Sequence, residues 1–135
     1  MLISCNGNVI MNEYEDFESS TWYSRDTIMF VMPPMDDSTM IVPTIQMRST
    51  DDFRFQNLDL LFRIDDYADT VTIPLYDEDG RFLGKGLIHL ESVLQLPAIM
   101  LAPSKNHKIK MSSLMKCDTL EGMSNLGVKV EIVKE

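Results

Sequence analysis

Three carboxylates stand together in the middle of the chain, at the end of an apolar run. Asp77, Glu78 and Asp79 precede Gly80, and aspartate and glycine are residues that tight turns prefer. Carboxylate oxygens are also the ligands that Ca²⁺ takes, in sets of six to eight. The turn is therefore either part of a cation site or a solvated loop tip, and the elements that carry it decide between these two interpretations.

The residues on both sides of this turn have the pattern of β-strands. Apolar side chains occupy every second position of 70–76, and a second apolar segment follows at 81–90. Together they predict a β-hairpin with carboxylates at its tip. Pro74 lacks an amide proton, so its strand is expected at a sheet edge or beside a bulge, and Pro43 indicates the same less clearly for an earlier strand.

Segments of this kind recur along the 135 residues, with turn-forming residues between them. The exception is 91–101, where ESVLQL could form one or two helical turns before Pro97. The expected fold is all-β, an eight-stranded antiparallel β-sandwich in a single domain spanning 1–135. The predicted strands are 2–11, 27–32, 39–47, 53–64, 70–76, 81–90, 108–114 and 127–134.

Antiparallel strands place successive loops at alternating ends of a sandwich. The first, third and fifth loops would then meet at one end and bring most of the carboxylates together there. Asp16, Asp51 and Asp77 are representatives of these three loops. The opposite end would receive Asp65 and the segment that contains His107.

Composition limits the function classes. A net charge of −9 argues against nonspecific nucleic-acid binding, which depends on lysine and arginine. No apolar run approaches the roughly 20 residues that span a bilayer, and Asn6 and Asn8 interrupt the start of the chain where a signal peptide would be apolar. The protein is therefore expected in the cytoplasm, free or peripheral to a membrane. Cys5 and Cys117 are expected to be two buried thiols, not a disulfide.

Catalysis finds little support in the sequence. There is no G-x-S-x-G, no phosphate loop and no H-E-x-x-H. The two histidines, His89 and His107, are too far apart for a catalytic or zinc cluster to be predicted. The protein is expected not to be an enzyme.

Five side chains are candidates for contact with a membrane or a partner protein. Trp22 and Tyr23 lie in the first loop, where they either enter a membrane interface or partner pocket, or cap the core beneath the loop. Lys105, Lys108 and Lys110 could engage a phosphoinositide headgroup or could lie on an ordinary solvated sheet face.

The run DTVTIPLYDEDGRFLGKGLIHL resembles the penultimate hairpin of a C2 domain, where an apolar strand ends in D-x-D and is followed by an aromatic or aliphatic residue, leucine or isoleucine, and glycine. Phe82, Leu83 and Gly84 fit the second part of this motif. SRDTIMFVM at 24–32 and the closing LGVKVEIVKE resemble further strands of the type II topology. The likeness extends over nearly the whole chain, but only the hairpin motif is moderately specific.

The resemblance implies a calcium-independent C2-like module that docks a protein partner or a membrane surface. Calcium-binding members have a further aspartate where this chain has Arg81, so no cofactor is expected beyond weakly bound Ca²⁺. The ligands of such an ion would be Asp77 and Asp79, with Asp26 and Asp16 opposite them. Two alternatives stay open: a calcium-dependent phospholipid-binding C2 domain, and a structural or assembly subunit with a jelly-roll-like sandwich.

Overall fold

The computed structural model describes residues 8–85 and 90–133. These residues contain eleven strands, more than the eight that were predicted, and one short 3₁₀ turn at Glu18–Ser20. The strands are β1 (Val9–Asp16), β2 (Thr21–Tyr23), β3 (Ile28–Val31), β4 (Thr39–Ser49), β5 (Asn57–Ile64), β6 (Tyr67–Pro74), β7 (Leu90–Gln95), β8 (Ile99–Leu101), β9 (Lys108–Ser113), β10 (Thr119–Glu121) and β11 (Met123–Ile132). The prediction of an all-β antiparallel sandwich is confirmed.

The strands form two main sheets and a small third one. The five-stranded sheet has the order β1-β11-β4-β7, and β8 also pairs with β4. The four-stranded sheet has the order β3-β9-β5-β6, and β10 pairs with β2 alone. No helix in 8–85 or 90–133 is both long and apolar enough to cross a membrane.

The core lies between the two main sheets and follows the period of two. Every second residue of β4, β5 and β11 is buried, and each large side chain buried in this way contributes about 1.5–3 kcal/mol. Apolar side chains with 0–1% exposure from these three strands are Ile41, Ile45, Met47, Leu58, Leu60, Phe62, Ile64, Met123, Leu126, Val128 and Val130.

Within the described residues, 70–74 do not pair with 81–85, contrary to the predicted hairpin. β6 pairs with β5 instead, from Asn57↔Pro74 to Ile64↔Tyr67, through a turn at 65–66. Beyond the acidic turn only a single bridge, Tyr76↔Phe82, joins the two segments, and 86–89 lie outside the described residues. Alternation identifies a strand but not its partner, and the aspartates at 65–66 supply a turn as readily as those at 77–79 do.

The two prolines lie in different kinds of strand. Pro74 lies on β6, an edge strand, as predicted. Pro43 lies on β4, which is central, so its strand is not at an edge; the proline lies where the ladder on one side of β4 is interrupted. β4 tolerates this proline because its partner changes from β7 to β8 there: β7 ends at Gln95 and β8 begins at Ile99. The Pro43 carbonyl faces the connection between them and accepts a hydrogen bond from the Leu96 amide at 2.8 Å.

The helical turns predicted in 91–101 are also wrong. β7 and β8 occupy most of this segment, and both extend the sheet from β4. A short apolar run does not by itself distinguish a helix from a strand, and here pairing with β4 decided the conformation.

Candidate functional site

The carboxylate-bearing loops meet at one end of the sandwich, called here the acidic end and defined by Asp16, Asp26, Asp51 and Asp77. Asp16 is paired with Asn125, which in turn is paired with Arg48 near the end of β4. The following loop carries Asp51, whose charge acts on the Tyr76 phenol beside Asp77. Asp26 belongs to the same end, because it precedes β3, which begins opposite Met111 near the end of β9.

The acidic turn is held together by one of its own carboxylates. Asp77 Oδ1 accepts hydrogen bonds from the backbone amides of Asp79 and Arg81, both at 2.9 Å. The Asp77 carbonyl accepts the Gly80 amide at 3.0 Å, and Gly80 has φ +81°, a conformation that glycine adopts without strain. The Asp77 side chain therefore has a structural task within the turn.

The four predicted calcium ligands do not form a ligand set. In the described ranges, no group of three or more His, Cys, Asp or Glu side chains is placed to hold a metal ion. Asp26 lies 4.0 Å from the Arg25 guanidinium, and Asp16 lies 3.5 Å from the Asn125 side-chain amide. Since Ca²⁺ takes six to eight oxygens, this arrangement fits a solvated loop cluster.

Trp22 and Tyr23 are adjacent in sequence but differ in burial. Trp22 is 1% exposed, its ring stacks on Phe17 with centroids 5.5 Å apart, and its Nε1–H donates to the Asp26 carbonyl at 3.0 Å. Tyr23 is 44% exposed and carries the Arg25 guanidinium 5.1 Å from its ring centroid. Trp22 therefore caps the core, and Tyr23 alone is available at the surface.

The basic residues predicted for partner contact lie mainly on the outer face of the four-stranded sheet. Lys110 of β9 is paired with Arg63 of β5, and Lys108 and Asp65 complete the lining of a small hollow of about 130 Å³. Lys105 is exposed in the connection before β9. Asp65 lies among these cations and reduces the net positive charge of the face.

A buried histidine was missed by the sequence reasoning. His107 is 4% exposed; its Nδ1 contacts Asp65 Oδ2, and its Nε2 lies 2.7 Å from the Ala102 carbonyl oxygen. The other Asp65 oxygen accepts the Lys108 amide at 3.3 Å. These contacts tie the connection before β9 to the β5–β6 turn, and no sequence signal links residues 42 positions apart.

The surroundings of the Tyr76 phenol give a testable pH dependence. Burial, and secondly the charge of Asp51, raise the pKa of the Tyr76 phenol above its ordinary 10.0. The unfolded chain thus loses this proton at lower pH than the folded protein does. Tyr76 therefore leaves stability unchanged below about pH 10 and lowers it as the pH rises further.

Urea unfolding at pH 9, 10 and 11 should show a smaller alkaline loss of stability in Tyr76→Phe than in wild type. Equal losses would contradict the assignment, because Tyr67, whose pKa burial and Asp69 raise, is present in both proteins.

Comparison with known proteins identifies the family. The family model described as GldH lipoprotein matches residues 9–130. The gliding motility lipoprotein GldH of Flavobacterium johnsoniae is 22% identical over 144 residues, which cover 97% of this chain and 89% of that protein.

Two solved structures resemble this chain only weakly in their coordinates. CBM35 from Cellvibrio japonicus Abf62 has a TM-score of 0.45 at 11% identity and covers 94% of this chain and 91% of its own. The Eiger TNF from S. frugiperda has a TM-score of 0.43 at 7% identity, with 95% of both chains covered. Neither score reaches 0.5, and neither likeness assigns a ligand to this chain.

These matches correct the C2 identification and what followed from it. The C2 likeness depended chiefly on the 70–90 hairpin, which is reduced to the bridge Tyr76↔Phe82 in the described residues, and on short strand motifs that many sandwiches share. The match to a family described as lipoproteins overturns the calcium-independent C2 module, its calcium-dependent alternative and the jelly-roll alternative. The same match overturns the expected cytoplasmic location, because the family and the Flavobacterium relative are both described as lipoproteins. Because the family model matches residues 9–130, well over half of this chain, the chain belongs to the GldH lipoprotein family.

Proposed function

We propose that this protein is a noncatalytic component of the gliding machinery, held at a membrane of the cell envelope by lipid on Cys5. The Flavobacterium relative is named as a gliding motility lipoprotein, which gives motility and lipid attachment for that protein. The observation that carries the proposal here is the position of Cys5 just before the family-matched range that begins at residue 9.

Cys5 is better suited to carry a lipid than the other cysteine. Cys117 is partly buried within the fold, and its carbonyl accepts a hydrogen bond from the Ser24 hydroxyl. Cys5 follows two aliphatic residues and Ser4, and small residues after an apolar segment are typical of a processing site. Its placement lies outside the described residues.

The direction of β1 relates the anchor to the acidic end. β1 begins at Val9, close in sequence to Cys5, and ends at Asp16 in the acidic end. Eight residues of strand span about 25 Å, so the acidic loops would lie well away from the membrane. They would be accessible to a partner protein of the machinery with a basic surface.

A noncatalytic role agrees with the state of the one carboxylate–histidine pair in the described residues. His107 is 4% exposed, and both of its ring nitrogens already contact oxygen atoms of the protein. A general base needs a free nitrogen within reach of a substrate proton. The pair therefore serves the fold.

The anchor is tested by replacing each cysteine separately. Cys5→Ser should remove the incorporation of a clickable fatty acid and move the protein from the membrane to the soluble fraction, when each variant is expressed from its own gene in its own host. Each buried CH₂ contributes about 0.8 kcal/mol, so loss of the acyl chains should lower retention about tenfold or more.

Cys117→Ser is the matched control and should keep both the label and the membrane fraction. Persistent labelling of Cys5→Ser would contradict the proposed anchor. Gliding of the Cys5→Ser strain, scored on agar at equal protein level, tests whether the anchor serves motility.

A further inference from the structure

The outer face of the five-stranded sheet contains a hollow that the proposed function does not use. It has a volume of about 200 Å³, and the side chains around it include Asn12, Tyr14, Gln46, Arg48, Glu91 and Asn125. The set combines three amides, one aromatic ring and one ion pair. The strand registers place all of these residues on a single sheet surface.

Gly127 of β11 lies between two of the residues that line this hollow. It is paired with Tyr14 of β1 on one side and Gln46 of β4 on the other. Because neighbouring strands lie about 4.8 Å apart, the backbones of Tyr14 and Gln46 are about 10 Å apart. A Cβ at position 127 would lie 2.4 Å from the Glu13 carbonyl oxygen and 2.5 Å from Tyr14 Cβ, so β1 approaches the glycine backbone closely.

Three of the polar side chains around the hollow have no hydrogen-bond partner among the described residues. The side chains of Asn12, Tyr14 and Gln46 make no hydrogen bond to other residues within 8–85 and 90–133. Each amide offers two donor hydrogens and one acceptor oxygen. Such groups match adjacent hydroxyls, which both donate and accept.

The aromatic ring and the charges narrow the ligand class. Tyr14 is 61% exposed although its ring is large, and an exposed ring offers an apolar face for stacking. Arg48 and Glu91 lie 3.8 Å apart and offset each other's charge, while Asp16 lies 3.5 Å from the Asn125 amide. The hollow thus has no uncompensated positive charge to attract an anion.

From these features we infer that the hollow binds an uncharged saccharide. One sugar ring stacks on Tyr14, and its hydroxyls form hydrogen bonds with the amides of Gln46 and Asn125. The volume is below the roughly 300–1,000 Å³ of pockets that enclose drug-sized ligands, so it fits one ring of a glycan that crosses the open sheet. The inference does not depend on the lipid on Cys5.

The test is an NMR titration of the ¹⁵N-labelled protein with three hexasaccharides. Cellohexaose and the hexamer of N-acetylglucosamine are the neutral probes, and comparing them separates a hexose glycan from an amino-sugar glycan as the source. Hexagalacturonate is the charged probe. At least one neutral probe should shift the backbone amides of Gln46, Asn125 and Gly127, and hexagalacturonate should bind at least tenfold more weakly.

Four variants assign the binding to the hollow. Gln46→Ala and Tyr14→Ala should each weaken binding about tenfold, which corresponds to loss of one good contact. Tyr14→Phe keeps the ring and should stay within about threefold of wild type. Thr44→Ala is the matched control, because Thr44 lies on the same face of β4 one row away and should bind as wild type does.

Thermal unfolding of every variant verifies that the fold is kept. The inference is overturned if neither neutral probe shifts these amides, if Gln46→Ala binds as tightly as Thr44→Ala, or if hexagalacturonate binds as tightly as the neutral probes.

Discussion

Trp22→Ala is expected to lower the free energy of unfolding by about 3–5 kcal/mol, the usual cost of truncating a buried tryptophan. Trp22 is 1% exposed, and its replacement also removes the ring stacking on Phe17 and the hydrogen bond to the Asp26 carbonyl. A loss of this size is a large part of the 5–15 kcal/mol that stabilises a typical domain. Because Trp22 is the only tryptophan, urea unfolding should be followed by far-UV circular dichroism instead of fluorescence.

Tyr23→Ala is the control for this prediction. Tyr23 is 44% exposed, and its contact with Arg25 is of a kind that contributes about 0.5–1 kcal/mol at the surface. Its replacement should therefore cost about 1 kcal/mol or less. Had Trp22 been a membrane-inserting residue, Trp22→Ala would leave stability as high as Tyr23→Ala does, and that result would refute its place in the core.

Gly122→Ala is expected to destabilise the protein by about 3–5 kcal/mol, the sum of backbone strain and overpacking. Gly122 joins β10 to β11 with φ +88°, and a Cβ there would lie 2.2 Å from the Phe53 amide nitrogen. Its amide donates to the Ser20 carbonyl at 2.9 Å, and its carbonyl accepts the Thr50 amide at 2.8 Å. A shift of this residue would therefore disturb two loops at once.

Gly80→Ala separates strain from steric contact. Gly80 has φ +81°, close to that of Gly122, but a Cβ there would meet no atom within 4 Å. Its replacement should cost only the strain of the left-handed conformation, about 1–2 kcal/mol. Chemical denaturation of both variants gives the comparison, and equal costs would show that the close contact at Gly122 is relieved by relaxation.

Local sequence pattern was sufficient for the class of the fold and for parts of its core. Alternation along 70–76 placed Val71, Ile73 and Leu75 on one face, and all three are buried. Pro74 correctly indicated an edge strand, because a residue without an amide proton cannot complete a central ladder. At Pro43 the strand is central, and a change of partner strand leaves no ladder bond to lose.

The candidate sites were harder to predict, since they depend on contacts between distant segments. The acidic turn at 77–81 was located correctly, but its main carboxylate bonds to the turn itself. Nothing around Trp22 in the sequence distinguishes a core cap from an exposed anchor; its burial follows from Phe17 and from the β2–β10 pairing. The hollow between Tyr14 and Gln46 depends on the registers of β1, β11 and β4. β1 and β11 lie near opposite ends of the chain, so no local pattern could predict it.

The residue pattern alone is enough to predict antiparallel strands around a core of alternating apolar residues, because a period of two is a property of each strand. The pairing of β6 with β5, the contact between His107 and Asp65, and the positions of Tyr14 and Gln46 on either side of Gly127 became known only from the folded molecule. The physical reason is that strand partners and registers are selected by the packing of the whole sandwich, and many pairings satisfy the local pattern equally well.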